Sequence, residues 1–419
     1  LKISEKEFFM KKIWIVNYYT GTPQTAANPR YLHFAKRFMD AGYEVTTFNA
    51  SNRVGLTAED FKEQPFLKKQ YGIYKFVHVA VPEYQGNGVK RMYSIWSFAH
   101  SIFKLRDQFE KPDVILHNIH PPFDYPIVRM AKKLKAKYIT EAWDLWPNDF
   151  VTYGLVKENN PAMKIAYQIE KQYYYHADEI VFTFEGALDY LRKKGWTKEK
   201  GGQIDMKHVH YVNNGIDLKQ FDADKERYPR EDADINNQDL YKIVYLGAIN
   251  RANNVKTLIQ AAALLKDNPN YRFFLYGDGA YREELEAYAQ QKGLSNIVFK
   301  EKKVSFAECA WIVSQATVNV MNYERDFGKY GVSSGKLFLY LAAGKPIVCN
   351  INIAYDDVIS EHNLGFAHDM ESPEEMAQAI CRLAEQPEGE YKAMCKRVRQ
   401  VAEKFDYEYL STEELKIVE

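Results

Sequence analysis

Residues 333–348 of the 419-residue chain read SSGKLFLYLAAGKPIV: two hydroxyls, a glycine and a lysine open an apolar helix that ends at Gly344 and Pro346. Ser333 or Ser334 can cap such a helix, Gly335 leaves backbone N–H groups accessible, and Lys336 adds charge to the positive end of the helix dipole. The set suits a diphosphate held without a metal. A capped core helix with Lys336 in solvent would use the same residues. The GKP that follows offers no hydroxyl after its lysine, so this is not a nucleoside-triphosphate P-loop.

Three other stretches carry residues able to do chemistry. In TGTPQTAANPR, Gly21 permits close approach of backbone to a ligand and Arg30 can face a phosphate, although a plain turn has the same composition. In TEAWDLWPND, Glu141 and Asp144 stand beside Trp143 and Trp146. Carboxylates take sugar hydroxyls and indoles take the CH face of a sugar ring; the tryptophans could equally pack an interdomain face while Glu141 pairs with a cation. In LGAINRANN and YGDGAYREEL, Gly247, Gly277 and Gly279 close apolar runs, and Asn250 and Arg251 can reach a diphosphate.

The elements around these stretches explain why they fall where they do. KKIWIVNYY, then RYLHFAKRFMDAG, then YEVTTFNA read as strand, amphipathic helix and strand, and YKIVYLGAI, VKTLIQAAALLKDNP and YRFFLYGDG repeat the order far downstream. Two such beginnings predict an α/β protein with two doubly wound, Rossmann-like sheets facing a central cleft. In sheets of this kind ligands bind beyond the carboxyl ends of the strands, where all four stretches lie. The length fits two domains. The expected division is a first domain over 1–220, a second over 221–385, and helices over 386–419 that pack back toward the first. The charged run 222–239 reads as a surface linker.

Lysine plus arginine equals aspartate plus glutamate, 56 against 56, which removes bulk attraction to nucleic acid, so any anion site must be local. The four cysteines have no paired close spacing, as reduced thiols of a cytoplasmic protein would, and no metal site is expected. No apolar run is long enough to span a bilayer, and LKISEKEFFMKK lacks the apolar stretch of a secretion signal. The segment GVKRMYSIWSFAHSIFKLRDQFEK interleaves Lys90, Arg91, Lys104 and Arg106 with Tyr93, Trp96, Phe98 and Phe103. A helix lying on the inner face of a membrane has that character, and so does a helix whose aromatics pack a core.

NPRYLHFAKRFMDAGYEV, EAWDLWP, VNNGID, YLGAINRANNVKTLIQAA, FFLYGDG and KLFLYLAAGKPIV, in this order, resemble glycosyltransferase family 4, retaining sugar-nucleotide transferases of the GT-B fold. EAWDLWP and KLFLYLAAGKP are similar to the bacterial subgroup that builds surface polysaccharides. The resemblance implies a donor held mainly by the second domain, an acceptor held by the first, and no metal or other cofactor. Gly277 and Gly279 would lie near the base, Ser333 to Lys336 near the diphosphate, and Glu141 with Asp144 near the reacting sugar. The expected donor is a UDP-sugar carrying a hexose or N-acetylated amino sugar, and the expected acceptor a saccharide on a polyprenyl diphosphate, with Trp143, Trp146 and Arg30 on the acceptor side.

The departures from the family are specific. Two glutamates separated by seven intervening residues in many members are replaced by Gly331 and Leu339, and the arginine after the strand glycine is replaced by Ala248, for which Arg251 can compensate. A noncatalytic sugar-nucleotide-binding subunit is therefore one alternative. A sugar-nucleotide epimerase of the same fold, using His117 and His120, is another.

Overall fold

The computed structural model describes residues 10–26, 28–62, 64–86, 88–152 and 154–419, without the side chains of residues 326 and 327. The chain forms two compact units. The first comprises residues 1–183, 187–212 and 411–419, and the second residues 184–186 and 213–410.

The first unit is built on β1 (Lys12–Val16), β2 (Glu44–Ala50), β3 (Phe66–Tyr71), β4 (Tyr74–Val79), β5 (Val114–Asn118), β6 (Lys137–Ala142), β7 (Glu179–Phe182) and β8 (Val209–Tyr211). They lie in the order β3-β4-β2-β1-β5-β6-β7-β8, all parallel except the β3–β4 hairpin. Apolar runs such as Ile13 to Val16 are buried on both faces, as a helix-covered parallel sheet requires. Chain direction across the sheet reverses between β1 and β5, so the loops after these strands open on one switch point.

The second unit carries β9 (Tyr241–Leu246), β10 (Tyr271–Tyr276), β11 (Ile297–Phe299), β12 (Val318–Met321), β13 (Ile347–Cys349) and β14 (Gly365–Ala367). Their order is β11-β10-β9-β12-β13-β14, all parallel, with the switch between β9 and β12. These are the two doubly wound sheets that the sequence predicts.

Three expectations are corrected by packing. The change of unit falls at 212/213, ahead of residue 220. The run 222–239 is no linker: Ile235 within it is buried with Val244 and Phe274, and the helix Leu218–Arg227, whose second half begins the run, buries Leu218 and Phe221 in one cluster with Cys309, Ala310 and Val313 of the helix Phe306–Ser314. Two apolar residues one turn apart suffice to dock it, however charged its other face. The helix Glu388–Ala402 also stays with the second unit, since Val398, Val401 and Ala402 join the core around Leu337 and Leu341 and Arg399 donates to the Ala342 carbonyl at 3.0 Å. Only residues 411–419 belong to the first unit.

Candidate functional sites

In the second unit the helix Gly335–Ala343 begins at Ser334, whose hydroxyl accepts the Lys336 N–H at 3.4 Å. Ser333 is used differently, donating to Asn213 Oδ1 at 2.6 Å and accepting from Asn214 Nδ2 at 3.1 Å, so it ties the helix start to the Asn213–Asn214 loop. Gly335 is exposed, and a Cβ built on it would meet nothing within 4 Å, which leaves the helix N-terminus open above it.

Lys336 is the chemical centre of this arrangement. Its Nζ donates to Asn253 Oδ1 at 2.5 Å and stands 5.0 and 4.6 Å from the ring centroids of Tyr245 and Tyr323. Among the described residues no carboxylate pairs with it. Burial lowers its pKa from 10.5 to about 7, because the amine is wrapped in apolar and aromatic groups that solvate the ammonium poorly. The loop after β9 and the loop after β12 meet beside it. Asn322 Nδ2 donates to the Asn253 carbonyl at 3.0 Å, and the Glu324 N–H donates to the Ala252 carbonyl at 2.9 Å.

The glycines expected to approach a ligand approach other protein backbone. A Cβ on Gly277, at φ +124°, would stand 1.9 Å from the Gly247 carbonyl oxygen, and one on Gly279 would stand 2.2 Å from that of Ile249. The loops after β9 and β10 touch directly, and glycine is what lets them. Gly247 has a different neighbour: its missing side chain makes room for Lys336, whose Cδ is 3.1 Å from the ideal Cβ. Asn250 caps the short turn Arg251–Asn253, accepting from Asn253 Nδ2 at 2.8 Å, and Arg251 is exposed on that turn.

The two departures from the family pattern are built into the backbone. Leu339 is buried in the apolar core. Gly331 holds φ +98°, a conformation that disfavours any side chain.

In the first unit the acids of TEAWDLWPND part company. Glu141 is wholly buried: Arg30 donates to its Oε1 from Nε at 2.8 Å and Nη2 at 2.5 Å, Trp143 Nε1 donates to its Oε2 at 3.0 Å, and the Tyr31 hydroxyl donates to the same oxygen. Arg30 is equally buried and also donates to the Val212 carbonyl at 2.9 Å. This corrects the expected roles of both. They neutralise each other and touch no solvent, so neither reaches a sugar or a phosphate. Gly21 is likewise structural, since a Cβ there would lie 2.6 Å from the Ala26 backbone across the turn that Thr22 and Thr25 close. Trp143 has one face stacked on Tyr31, 5.6 Å between centroids and 6° from parallel, and its N–H is taken.

Asp144 is exposed, yet the groups packed around its carboxylate desolvate it and raise its pKa, against the opposing pull of His120 and Arg91. Trp146 meets His120 edge-on at 5.5 Å, with the Arg91 guanidinium 5.3 Å from its ring. His120 Nδ1 lies 3.3 Å from Asp124 Oδ2, and His117 Nε2 lies 3.1 Å from the same oxygen. Burial would raise the Asp124 pKa, but the two imidazoles hold it below the usual carboxylate range. The acid orients His120, whose ring borders Tyr19 at 5.0 Å and Trp146 at the switch point of the sheet. His117 lies in β5 and His120 and Asp124 follow it within seven residues; sequence reasoning offers only the two histidines, for epimerase chemistry, and misses Asp124. Arg91 is also reassigned: Nε donates to the Tyr19 hydroxyl at 2.8 Å, so it serves this loop cluster and not a membrane.

A pair of switch-point sheets, one with a lysine at a helix start and the other with an acid, imidazoles and indoles, is the architecture of a GT-B glycosyltransferase. Residues 30–220 match the Glycosyltransferase Family 4 domain and residues 229–404 the Glycosyl transferases group 1 domain, and the chain belongs to this glycosyltransferase family. It is similar to WbjE of Pseudomonas aeruginosa, described as a probable glycosyltransferase, with 22% identity over 67% of this chain and 68% of that protein. It is also similar to WcaI of Escherichia coli, a glycosyl transferase assigned to colanic acid biosynthesis, with 27% identity over 51% of this chain and 52% of that one. Among solved structures, sucrose-phosphate synthase from Thermosynechococcus elongatus superposes with a TM-score of 0.71 at 18% identity, over 97% of this chain and 98% of that one. Anabaena HepE in complex with UDP-glucose gives 0.65 at 14% identity, over the same shares. At these identities the structural likeness concerns the fold.

Proposed function

We propose that this glycosyltransferase transfers, with retention, a hexose or N-acetylated amino sugar from a UDP-sugar to a saccharide carried on a polyprenyl diphosphate, in the synthesis of a surface polysaccharide. The observation that carries the donor half is Lys336: a largely enclosed amine without a carboxylate partner among the described residues, at an open helix N-terminus, in the switch-point loops of the second sheet. A diphosphate supplies the charge that the site lacks. Lys336, the helix N–H groups and Arg251 stabilise the negative charge that develops as the nucleotide diphosphate departs, which requires no metal. UDP-glucose in HepE and colanic acid in the description of WcaI support this choice of donor and pathway class.

On the acceptor side the reading assigns Asp144 and His120 to hydrogen bonds with sugar hydroxyls, and Trp146 to the sugar face. The helix Val89–Leu105 exposes Val89, Tyr93 and Trp96 at 80%, 55% and 40%, beside Lys90, which suits contact with the cytoplasmic membrane face where such an acceptor resides. Phe98 is buried and takes no part. No helix among the described residues is long and apolar enough to cross a membrane.

The test is calorimetry against UDP, GDP, CDP and UDP-glucose, followed by transfer assays with a lipid-linked saccharide. Tight binding of a uridine nucleotide and transfer that Asp144→Asn abolishes are the expected results; absence of binding to every nucleotide rejects the reading. A second reading, a noncatalytic sugar-nucleotide-binding subunit, is favoured by Gly331 and Leu339, which remove both family glutamates. Donor binding without turnover, indifferent to Asp144→Ala, would select it.

A further inference from the structure

The helix Tyr407–Val418 brings a second carboxylate, Glu414, to the buried Arg30–Glu141 pair. All three side chains are 0% exposed. The Arg30 guanidinium lies 4.0 Å from Glu414 Oε2 but directs Nε and Nη2 to Glu141, and neither oxygen of Glu414 has a hydrogen-bond partner. One guanidinium in a dry site cannot balance two carboxylates, so one of them carries a proton. Glu141 has the cation and the Tyr31 and Trp143 donors, all of which favour its charged form. Glu414 has none of these.

We propose that Glu414 is an uncharged latch: as the free acid it lets residues 411–419 lie against Arg30 and Glu141, and its ionisation loosens that segment together with the Trp143 ring that Glu141 holds. Trp143 depends on Glu141 through its N–H and directly precedes Asp144, so the latch is a positioning device for the loop that bears Asp144. The other charged and titratable groups facing the segment have partners other than the Glu414 carboxyl. Arg37 Nε donates to the Ser411 hydroxyl at 3.3 Å, Lys137 Nζ donates to the Ile417 carbonyl at 2.6 Å and that of Val418 at 3.1 Å, and Tyr31 stays protonated well above its ordinary range. On the helix itself Glu413 and Lys416 pair with each other. Burial, and then the neighbouring Glu141 charge, push Glu414 up to about 8 against the opposing pull of Arg30, which sets where the latch opens.

Hydrogen exchange of the full-length protein tests this, with amide rates corrected for their intrinsic pH dependence. In the wild type, protection across residues 411–418 falls by on the order of tenfold or more as pH rises through that value, and the Trp143 indole N–H resonance broadens in step. In Glu414→Gln, which keeps the shape and cannot ionise, both signals stay constant over the same range. Should that variant not fold, Glu414→Met serves, since no hydrogen bond to the carboxyl is lost. A wild type whose protection does not change with pH overturns the proposal whatever the variants do, and so does a variant that repeats the wild-type profile. None of these readouts depends on which sugar is transferred.

Discussion

Arg30 and Glu141 lie 111 positions apart and meet with both Arg30 Nε and Nη2 on one carboxylate oxygen, at 2.8 and 2.5 Å, in a site closed to solvent. The pair fixes the start of the helix Arg30–Asp40 to the end of β6, and thereby the loop that presents Asp144 and Trp146. Losing Arg30 leaves the Glu141 charge buried and uncompensated, so Arg30→Met is expected to lower stability by about 3–5 kcal/mol in urea unfolding, and Glu141→Gln by less, because Glu414 can then ionise beside Arg30. Replacing both with methionine should be milder than the sum of the two. Simple additivity would mean that the residues do not act as a pair.

Lys336 titrates near neutrality because burial opposes its charge. A diphosphate favours the ammonium, so binding of UDP-glucose above about pH 7 should take up a proton. Calorimetry in two buffers of different ionisation enthalpy measures the uptake; Lys336→Met should abolish it and weaken binding by roughly tenfold or more. Equal heats in both buffers would disprove the coupling. The sign for folding is separate. Between about 7 and 10.5 the unfolded chain holds a proton that the folded chain has lost, so the Lys336 contribution to stability improves as pH rises through that window.

Gly277→Ala places a methyl 1.9 Å from the Gly247 carbonyl oxygen at φ +124° and must part the loops after β9 and β10. A loss of about 3 kcal/mol is expected, read as a lowered Tm. Gly335→Ala, whose methyl meets nothing, should stay within about 1 kcal/mol of the parent. Similar melting of the two variants would refute the assignment of Gly277 to backbone contact.

Glu170 is fully buried, with the Tyr190 hydroxyl donating at 2.8 Å and that of Tyr174 at 3.3 Å, and burial raises it from 4.5 to about 8 despite these donors. The folded protein keeps a proton that the unfolded chain has released. Its contribution to stability is therefore complete below about 4.5 and is lost as pH rises toward 8. Glu170→Gln should flatten that decline in chemical denaturation over the same range, and an unchanged slope would show that Glu170 is ionised when folded.

Strands β9 and β10 were legible because each is a mostly apolar run closed by glycine, and that pattern survives without any knowledge of neighbours. The β3–β4 hairpin was not, since Lys68, Lys69 and Gln70 are exposed on an edge strand and give no apolar signal. The helix Leu218–Arg227 escaped for a related reason: two buried residues, Leu218 and Phe221, decide its docking among many charges.

By itself the sequence determined the two doubly wound sheets, the ends of the strands where ligands bind, and Lys336 at a helix start, all properties of neighbours along the chain. The tertiary structure decided which charges face each other. In the sequence Arg30 and Glu141 read as ligand-binding charges and Glu414 as an ordinary surface acid, until folding removes water from around all three. Once dry, they must neutralise one another, whereas Asp144, two residues past the end of β6, stays exposed.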